Sequence, residues 1–353
     1  MESQQHVRPL RQEEPWQNEN FNYEIVSQIG SGAYGVVYVV TDREGNEANS
    51  RIRNFSLAEC FNWRSLQYAM KKIRVPLSDE GIPQSVIREI ATLKSIEKAN
   101  HPNVVRLLDV CHGLQTDSEL YIHVIFEKCD WDLYQFLKRV PTHLPVSQCR
   151  HMARQVVQGV DFLHASNIIH RDLKTQNVLV NRSGALKIAD FGLARSCSLH
   201  ASYTTVVVTL WYRAPEVLLQ CSYGPSVDLW SLGCILAELY AREPLFPGQT
   251  EAQQLHLIFQ ALGRPPAELW PEEAVVERDS FPAYPPASLE RVCPRMDPLA
   301  LDLLKKLLSF EQAKRPTARV ALTHAYFAVD DSAGAASATA AAHAPLHATG
   351  TNL

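Results

Sequence analysis

Long apolar runs are missing from this 353-residue chain. None approaches the ~20 residues that a membrane-crossing helix needs, so no membrane partner is expected. The first 20 or so residues are polar and charged and lack an apolar signal core, which argues against secretion. Close cysteine pairs are absent too. Eight cysteines are scattered with no Cys-x-x-Cys spacing, a usage that fits reduced thiols in the nucleus and cytoplasm. Cys129 and Cys234 read as packing residues. There is no basic excess: the formal net charge is −4, which offers nothing to a nucleic-acid backbone. Internal repeats are also lacking. What remains is the composition of an ordinary soluble globular protein, long enough for two domains or for one large two-lobed unit.

The pattern along the chain changes character once. From Tyr23 it shows short β-rich runs, at Tyr23–Ile29, Val36–Thr41, Tyr68–Arg74, Val105–Cys111 and Leu120–Phe126. One helical stretch interrupts them, from about Gln84 to Glu97, with Val86, Ile90 and Leu93 at helical spacing. After Lys128 long helices take over. Ser147 is the expected N-cap of a helix through Arg150–His164, and Val227–Tyr240 is apolar on almost every side, as a buried helix is. Leu255–Leu262, Pro298–Leu308 and Arg319–His324 complete the expected helices. The predicted organisation is α+β: a disordered leader over 1–20, a small β-rich lobe over 21–127, a mainly helical lobe over 128–328, and a disordered Ala-rich tail over 329–353.

Four local patterns carry chemistry. Ile29-Gly30-Ser31-Gly32-Ala33-Tyr34-Gly35 lies between two expected strands. Its glycines let backbone amides approach phosphate oxygens. A dinucleotide fingerprint would need a helix next, whereas Val36–Val40 reads as a strand. In Tyr68-Ala69-Met70-Lys71-Lys72-Ile73 a lysine interrupts a strand, and alternation sends Lys71 and Lys72 to opposite faces. Glu89 of the single helix is a counter-charge for Lys71. His170-Arg171-Asp172-Leu173-Lys174-Thr175-Gln176-Asn177 precedes Asp190-Phe191-Gly192, with room between for a hairpin of Val178–Val180 and Leu186–Ile188. Each pattern alone is common; in this order they form one constellation.

From about Tyr23 to Phe327 that constellation resembles the eukaryotic protein kinases. Four stretches are similar to cyclin-dependent kinases, and to the D-type-cyclin-partnered subgroup (kinases 4 and 6) in particular. They are Gly81-Ile82-Pro83-Gln84-Ser85-Val86-Ile87-Arg88-Glu89, His101–Cys111, Asp161-Phe162-Leu163-His164 and Val206–Gln220. Ala33 before Tyr34 points the same way. The resemblance implies a bilobal kinase fold, ATP and Mg²⁺ as cofactors, and transfer of the γ-phosphate to Ser/Thr-Pro sites. Asp172 would accept or orient the substrate hydroxyl and Lys174 would offset charge on the γ-phosphoryl group. Asn177 and Asp190 would hold metal, and Lys71, paired with Glu89, would reach the α- and β-phosphates. The glycine tract with Val37 and Ala69 would line the ATP site. Phe126 would narrow its rear, Glu127 and Cys129 would meet the adenine through their backbones, and Asp132 would take a ribose hydroxyl.

The same resemblance implies regulation. Pro83, Ser85, Ile87 and Arg88 correspond to the cyclin-binding helix. Thr204 corresponds to the activating phosphosite set by a separate activating kinase, with Thr205 adjacent and with Arg88, Arg171 and Arg195 as the phosphate pocket. Tyr34 corresponds to an inhibitory phosphosite. Thr209 is expected to bridge Asp172 and Lys174, Asp228 to receive catalytic-loop amides, Glu216 to pair with Arg315, and Arg213 to favour proline after the acceptor. His170 is expected to serve the loop core rather than act as a base. Implied partners are a D-type cyclin, retinoblastoma-like substrates acting in G1 progression, and cyclin-dependent kinase inhibitors. A catalytically weak cyclin-sequestering scaffold is the alternative. The chain departs from the pattern in an insertion over about 43–67, with apolar Phe55, Cys60, Phe61 and Trp63, in Lys128, and in Thr175-Gln176 where relatives often carry proline first.

Overall fold

In the computed structural model, residues 22–32, 35–42, 67–76, 84–116, 119–192, 194–196, 209–285 and 288–329 are described. Ala33, Tyr34, Pro83, Thr204, Thr205, the leader, nearly all of the 43–67 insertion and the Ala-rich tail lie outside them, as do the side chains of Ser31, Ser85 and Arg195. The described residues divide into two compact units. One runs to Ile90 and adds Leu107–Lys128; the other holds Ala91–Arg106 and everything from Cys129 onward.

The first unit is a five-stranded antiparallel sheet ordered β1-β2-β3-β5-β4. Its strands are β1 (Tyr23–Gly32), β2 (Gly35–Asp42), β3 (Gln67–Pro76), β4 (Leu107–Gln115) and β5 (Glu119–Glu127), and helix α1 (Gln84–Ile96) lies between β3 and β4 in the chain. Period-two alternation sorts its side chains. Tyr23, Val40, Tyr68, Met70 and Ile125 form a buried cluster, against which Tyr38 and Tyr121 pack. The register pairs Val37 with Lys71 and Ala69 with Phe126, so these four residues share the other face. Lys72 projects with Met70, its ammonium 4.6 Å from the centroid of the Tyr121 ring. β4 starts two residues later than the sequence suggests, because Val105 donates its amide instead to the Ile188 carbonyl (2.9 Å) within the second unit.

The second unit is mainly helical. β6 (Trp131–Asp132) and α2 (Leu133–Arg139) lead into α3 (Val146–Ala165) and β7 (Ile168–Ile169). The hairpin β8 (Val178–Val180) and β9 (Leu186–Ile188) pairs with β6, and β10 (Arg195–Ser196) with β7. Then come α4 (Pro215–Leu218), α5 (Ser226–Ala241), α6 (Glu251–Leu262), α7 (Leu289–Val292), α8 (Pro298–Leu307), α9 (Ala318–Leu322) and α10 (Ala325–Ala328). α5 is buried from Val227 to Tyr240, as its all-round apolarity requires. Ser147 is not an N-cap: α3 starts at Val146 behind an extended Pro145, which puts Ser147 inside the first turn. The helix expected through His324 stops at Leu322, and His324 instead caps α10 by accepting the Tyr326 amide. Among the described residues no helix is long and apolar enough to cross a membrane.

Candidate active site

On the sheet unit, Lys71 Nζ donates to Glu89 Oε1 at 2.7 Å and to Oε2 at 2.9 Å. Both groups are largely withdrawn from solvent, the glutamate at 3% side-chain exposure, so the pair is a charge-assisted bond in a low dielectric. It fixes α1 against the face that also carries Val37, Ala69 and Phe126. Ile87, also on α1, is 48% exposed, an apolar side chain left available to a partner. The two ends of the glycine tract differ. Gly35 has φ 144°, and a Cβ there would sit 2.1 Å from the Lys72 carbonyl oxygen, so the hairpin itself requires glycine. A Cβ on Gly30 would meet nothing within 4 Å.

On the helical unit, the loop after β7 is built around one buried carboxylate. Asp228 of α5, 1% exposed, accepts the backbone amides of His170 and Arg171 at 2.9 Å each, and His164 Nε2–H at 2.9 Å. Burial by itself would raise this carboxyl. The bond and charge of His164, the charge of His170 and the Arg171 amide outweigh burial and hold it below the ordinary range. These amides let Arg171 take the left-handed conformation, φ 71°, that turns Asp172 outward. His170 is fully buried. Its Nε2 bonds the Ala189 carbonyl at 3.0 Å and its Nδ1 accepts the Asp172 amide at 3.3 Å. Both ring nitrogens are therefore committed to the loop.

Asp172 Oδ2 accepts from Lys174 Nζ at 2.7 Å and from Asn177 Nδ2 at 2.9 Å, while Asn177 Nδ2 also reaches the Asp172 carbonyl at 2.8 Å. Asp172 Oδ1 has no hydrogen bond among the described residues, so one carboxylate oxygen is held and the other is open to a substrate hydroxyl. Orienting the Asn177 amide by its nitrogen leaves its oxygen without a hydrogen bond among the described residues. Thr209 does not bridge Asp172 and Lys174: among the described residues it hydrogen-bonds to neither, and the direct contact between Lys174 and Asp172 takes the place of the expected bridge. Asp190 follows the β8–β9 hairpin with φ 64°, and Phe191 packs edge-on to the His170 ring at 5.3 Å. Asp132 caps α2, accepting the Gln135 amide at 2.7 Å; burial raises its carboxyl, in part offset by those amides.

Arg171 Nε donates to the Tyr223 hydroxyl at 2.9 Å, and its guanidinium lies over that ring. Glu216 and Arg315 form a buried two-pronged pair, at 2.6 and 2.7 Å. Trp211-Tyr212-Arg213 is pinned by Trp211 Nε1 to the Gly248 carbonyl (3.1 Å), by Arg213 to Glu251 (3.7 Å) and by Ser231 Oγ to the Tyr212 carbonyl (2.8 Å).

A model of the protein kinase domain matches residues 56–327. Cyclin-dependent kinase 4 of Rattus norvegicus is 43% identical over 314 residues, covering 88% of this chain and 97% of its own. This chain is a cyclin-dependent protein kinase of the 4/6 type. Cyclin-dependent kinase 4 of Sus scrofa is 44% identical over 308 residues, 86% of this chain and 95% of that one. The cyclin-dependent kinase 4 homolog of Caenorhabditis elegans is 44% identical over 303 residues, 86% of this chain and 70% of that one. The fold is the kinase α+β arrangement of a sheet unit and a helical unit, and the activity is that of a serine/threonine kinase. ATP and a divalent metal belong to that activity.

The residues present suit those ligands. A hard cation takes oxygen donors, which the side-chain oxygen of Asn177 and the carboxylate of Asp190 would supply. No cluster of three acidic, histidine or cysteine side chains exists among the described residues, so phosphate oxygens would have to complete a coordination sphere. The space beside Gly30 leaves its backbone open to a phosphate. Sequence reasoning missed His164 as the third donor to Asp228, Tyr223 beside Arg171, and a role for Thr175. The one available signal was Glu238, the second acid, after Asp228, inside the apolar run of α5.

Proposed function

We propose that this kinase transfers the γ-phosphate of MgATP to serine or threonine followed by proline, in complex with a D-type cyclin. The observation that carries the reading is Asp172: one oxygen fastened by Lys174 and Asn177, the other without a hydrogen bond among the described residues. Asp172 Oδ1 orients the substrate hydroxyl and takes up its proton as the bond to phosphorus forms, while the Lys174 ammonium offsets the charge. Lys71, held by Glu89, binds the α- and β-phosphates, and Gly30, Gly32 and Gly35 present backbone amides. Asn177 and Asp190 would hold Mg²⁺, which would supply neutralisation of phosphate charge. Phe126, Glu127, Cys129 and Asp132 serve the nucleoside. A proline after the acceptor brings no amide N–H that Arg213 and its neighbours would have to satisfy.

Exposed Ile87 on α1, with Pro83, Ser85 and Arg88 in the same stretch, supports a cyclin seat there, and retinoblastoma-like proteins in the nucleus and cytoplasm are the proposed substrates during G1. Phospho-Thr204, added by an activating kinase and met by Arg88, Arg171 and Arg195, completes activation, phospho-Tyr34 opposes it, and inhibitor proteins of this kinase class compete. The full chain with a D-type cyclin and phospho-Thr204 is expected to phosphorylate a Ser-Pro peptide and to reject its Ser-Ala counterpart. Cyclin binding with no transfer to either peptide would make the chain a sequestering scaffold and overturn the proposal.

A further inference from the structure

Thr175, Tyr212 and Glu238 meet in the interior of the helical unit, at 0%, 3% and 1% exposure. Their oxygens lie in mutual hydrogen-bond contact. Thr175 Oγ1 is 2.9 Å from the Tyr212 hydroxyl and 3.1 Å from Glu238 Oε1, and the Tyr212 hydroxyl is 2.6 Å from Glu238 Oε2. Among the described residues these oxygens have no other hydrogen-bond partners. Three contacts need three protons, and the two hydroxyls bring two. With an ionised glutamate, one contact would press two lone pairs together, either hydroxyl against hydroxyl or hydroxyl against carboxylate. A proton on Oε1 removes the conflict. Oε1–H then donates to Thr175, Thr175 donates to Tyr212, and Tyr212 donates to Oε2.

We propose that Glu238 is held as the neutral acid and closes with Thr175 and Tyr212 a ring of three hydrogen bonds. That ring ties the turn carrying Lys174 and Asn177 to Trp211–Arg213. The positioning role rests on the parts assigned above to Lys174 and Asn177 in phosphoryl transfer. The surroundings agree: burial raises the Glu238 carboxyl, opposed by the Tyr212 and Thr175 bonds and by the field of Lys138 on α2. On the same helix, Cys234 is a thiol kept protonated by burial. Tyr212 is kept protonated for the same reason. Thr175 opens the short turn Thr175–Asn177, so the ring holds the backbone next to Lys174 at one end. At the other end is the segment that Trp211 and Arg213 anchor. Thr175 and Glu238 are thus positioning residues for the alignment of acceptor and phosphoryl group.

The test uses the full chain, with cyclin bound for the kinetic part. In difference infrared spectra of the wild type against Glu238→Gln near neutral pH, the wild type is expected to show a protonated carboxyl C=O band. Glu238→Gln, which keeps a donor and an acceptor, is expected to retain the wild-type Tm where Glu238→Ala does not. Thr175→Val should lower kcat by about tenfold and raise the peptide KM several-fold with the ATP KM unchanged, and Thr175→Ser should restore both. A spectrum without the neutral carboxyl band, or a Gln variant as unstable as Ala, would overturn the proton-sharing ring. Wild-type kcat and peptide KM in Thr175→Val would overturn its positioning role. The spectra and Tm values require no phosphoryl transfer, so they stand or fall separately from the roles of Lys174 and Asn177.

Discussion

Replacing Asp228 by asparagine keeps the shape of the side chain and removes one acceptor oxygen. Oδ2 serves both His164 and the His170 amide, and Oδ1 serves the Arg171 amide. Whichever way the carboxamide turns, its NH₂ faces at least one backbone N–H that has no alternative acceptor. A buried donor left unsatisfied costs about 1–3 kcal/mol, and losing the charge-assisted character of the remaining bonds adds a comparable amount. The total, roughly 2–6 kcal/mol, corresponds to a Tm lowered by about 4–24 °C in a unit of this size. Catalysis should suffer further, because those amides hold Arg171 at φ 71° and hence Asp172 in place. A displacement of about 1 Å there costs on the order of 100-fold in kcat.

The pH dependence has a definite sign. Asp228 is depressed in the folded state. Its contribution is complete above the unfolded value, about 3.9, and is lost as pH falls through the lower folded value. The Asn variant has no such contribution to lose. The gap between wild type and Asp228→Asn, followed by thermal unfolding across an acid series, should therefore narrow toward low pH. A Tm within about 1 °C of wild type together with normal kcat would refute the reasoning, as would a gap that widens on acidification.

The two glycines of the phosphate tract should separate by effect. Gly30→Ala is expected to leave Tm unchanged and raise the ATP KM, since its Cβ meets no protein atom within 4 Å. Gly35→Ala should destabilise the β1–β2 hairpin outright, because its Cβ would sit 2.1 Å from the Lys72 carbonyl oxygen; thermal melts and ATP titrations of both variants check this. Arg315→Lys should lower stability by roughly 2–4 kcal/mol in denaturant titration. An ammonium cannot hold both oxygens of Glu216 while also reaching the Ser309 and Ser226 carbonyls.

The sequence announced those parts of the site whose chemistry dictates spacing. Alternation alone sends Lys71 and Lys72 to opposite faces of β3, and burial of α5 follows from an apolar run with no polar side. His170 as a loop-core residue, and the pairing of Glu216 with Arg315, came instead from the family resemblance. What pattern could not supply depends on partners far along the chain. Val105 leaves the sheet because the Ile188 carbonyl takes its amide. The cap expected from Ser147 loses to Pro145, and Lys174 reaches Asp172 directly where Thr209 was expected to mediate. Thr175 looked like a neutral change beside the chemistry. Its hydroxyl matters only because Tyr212 and Glu238, 37 and 63 residues away, arrive at the same point.

The central claim is that Asp172 serves the transfer step itself. Single-turnover phosphoryl transfer by the cyclin-bound kinase, wild type against Asp172→Asn with ATP binding measured in parallel, tests it most directly. The account predicts that ATP affinity is preserved while the transfer rate falls by roughly 100-fold or more, as loss of a positioned base and orienting group requires. A variant that transfers phosphate at the wild-type rate would contradict it.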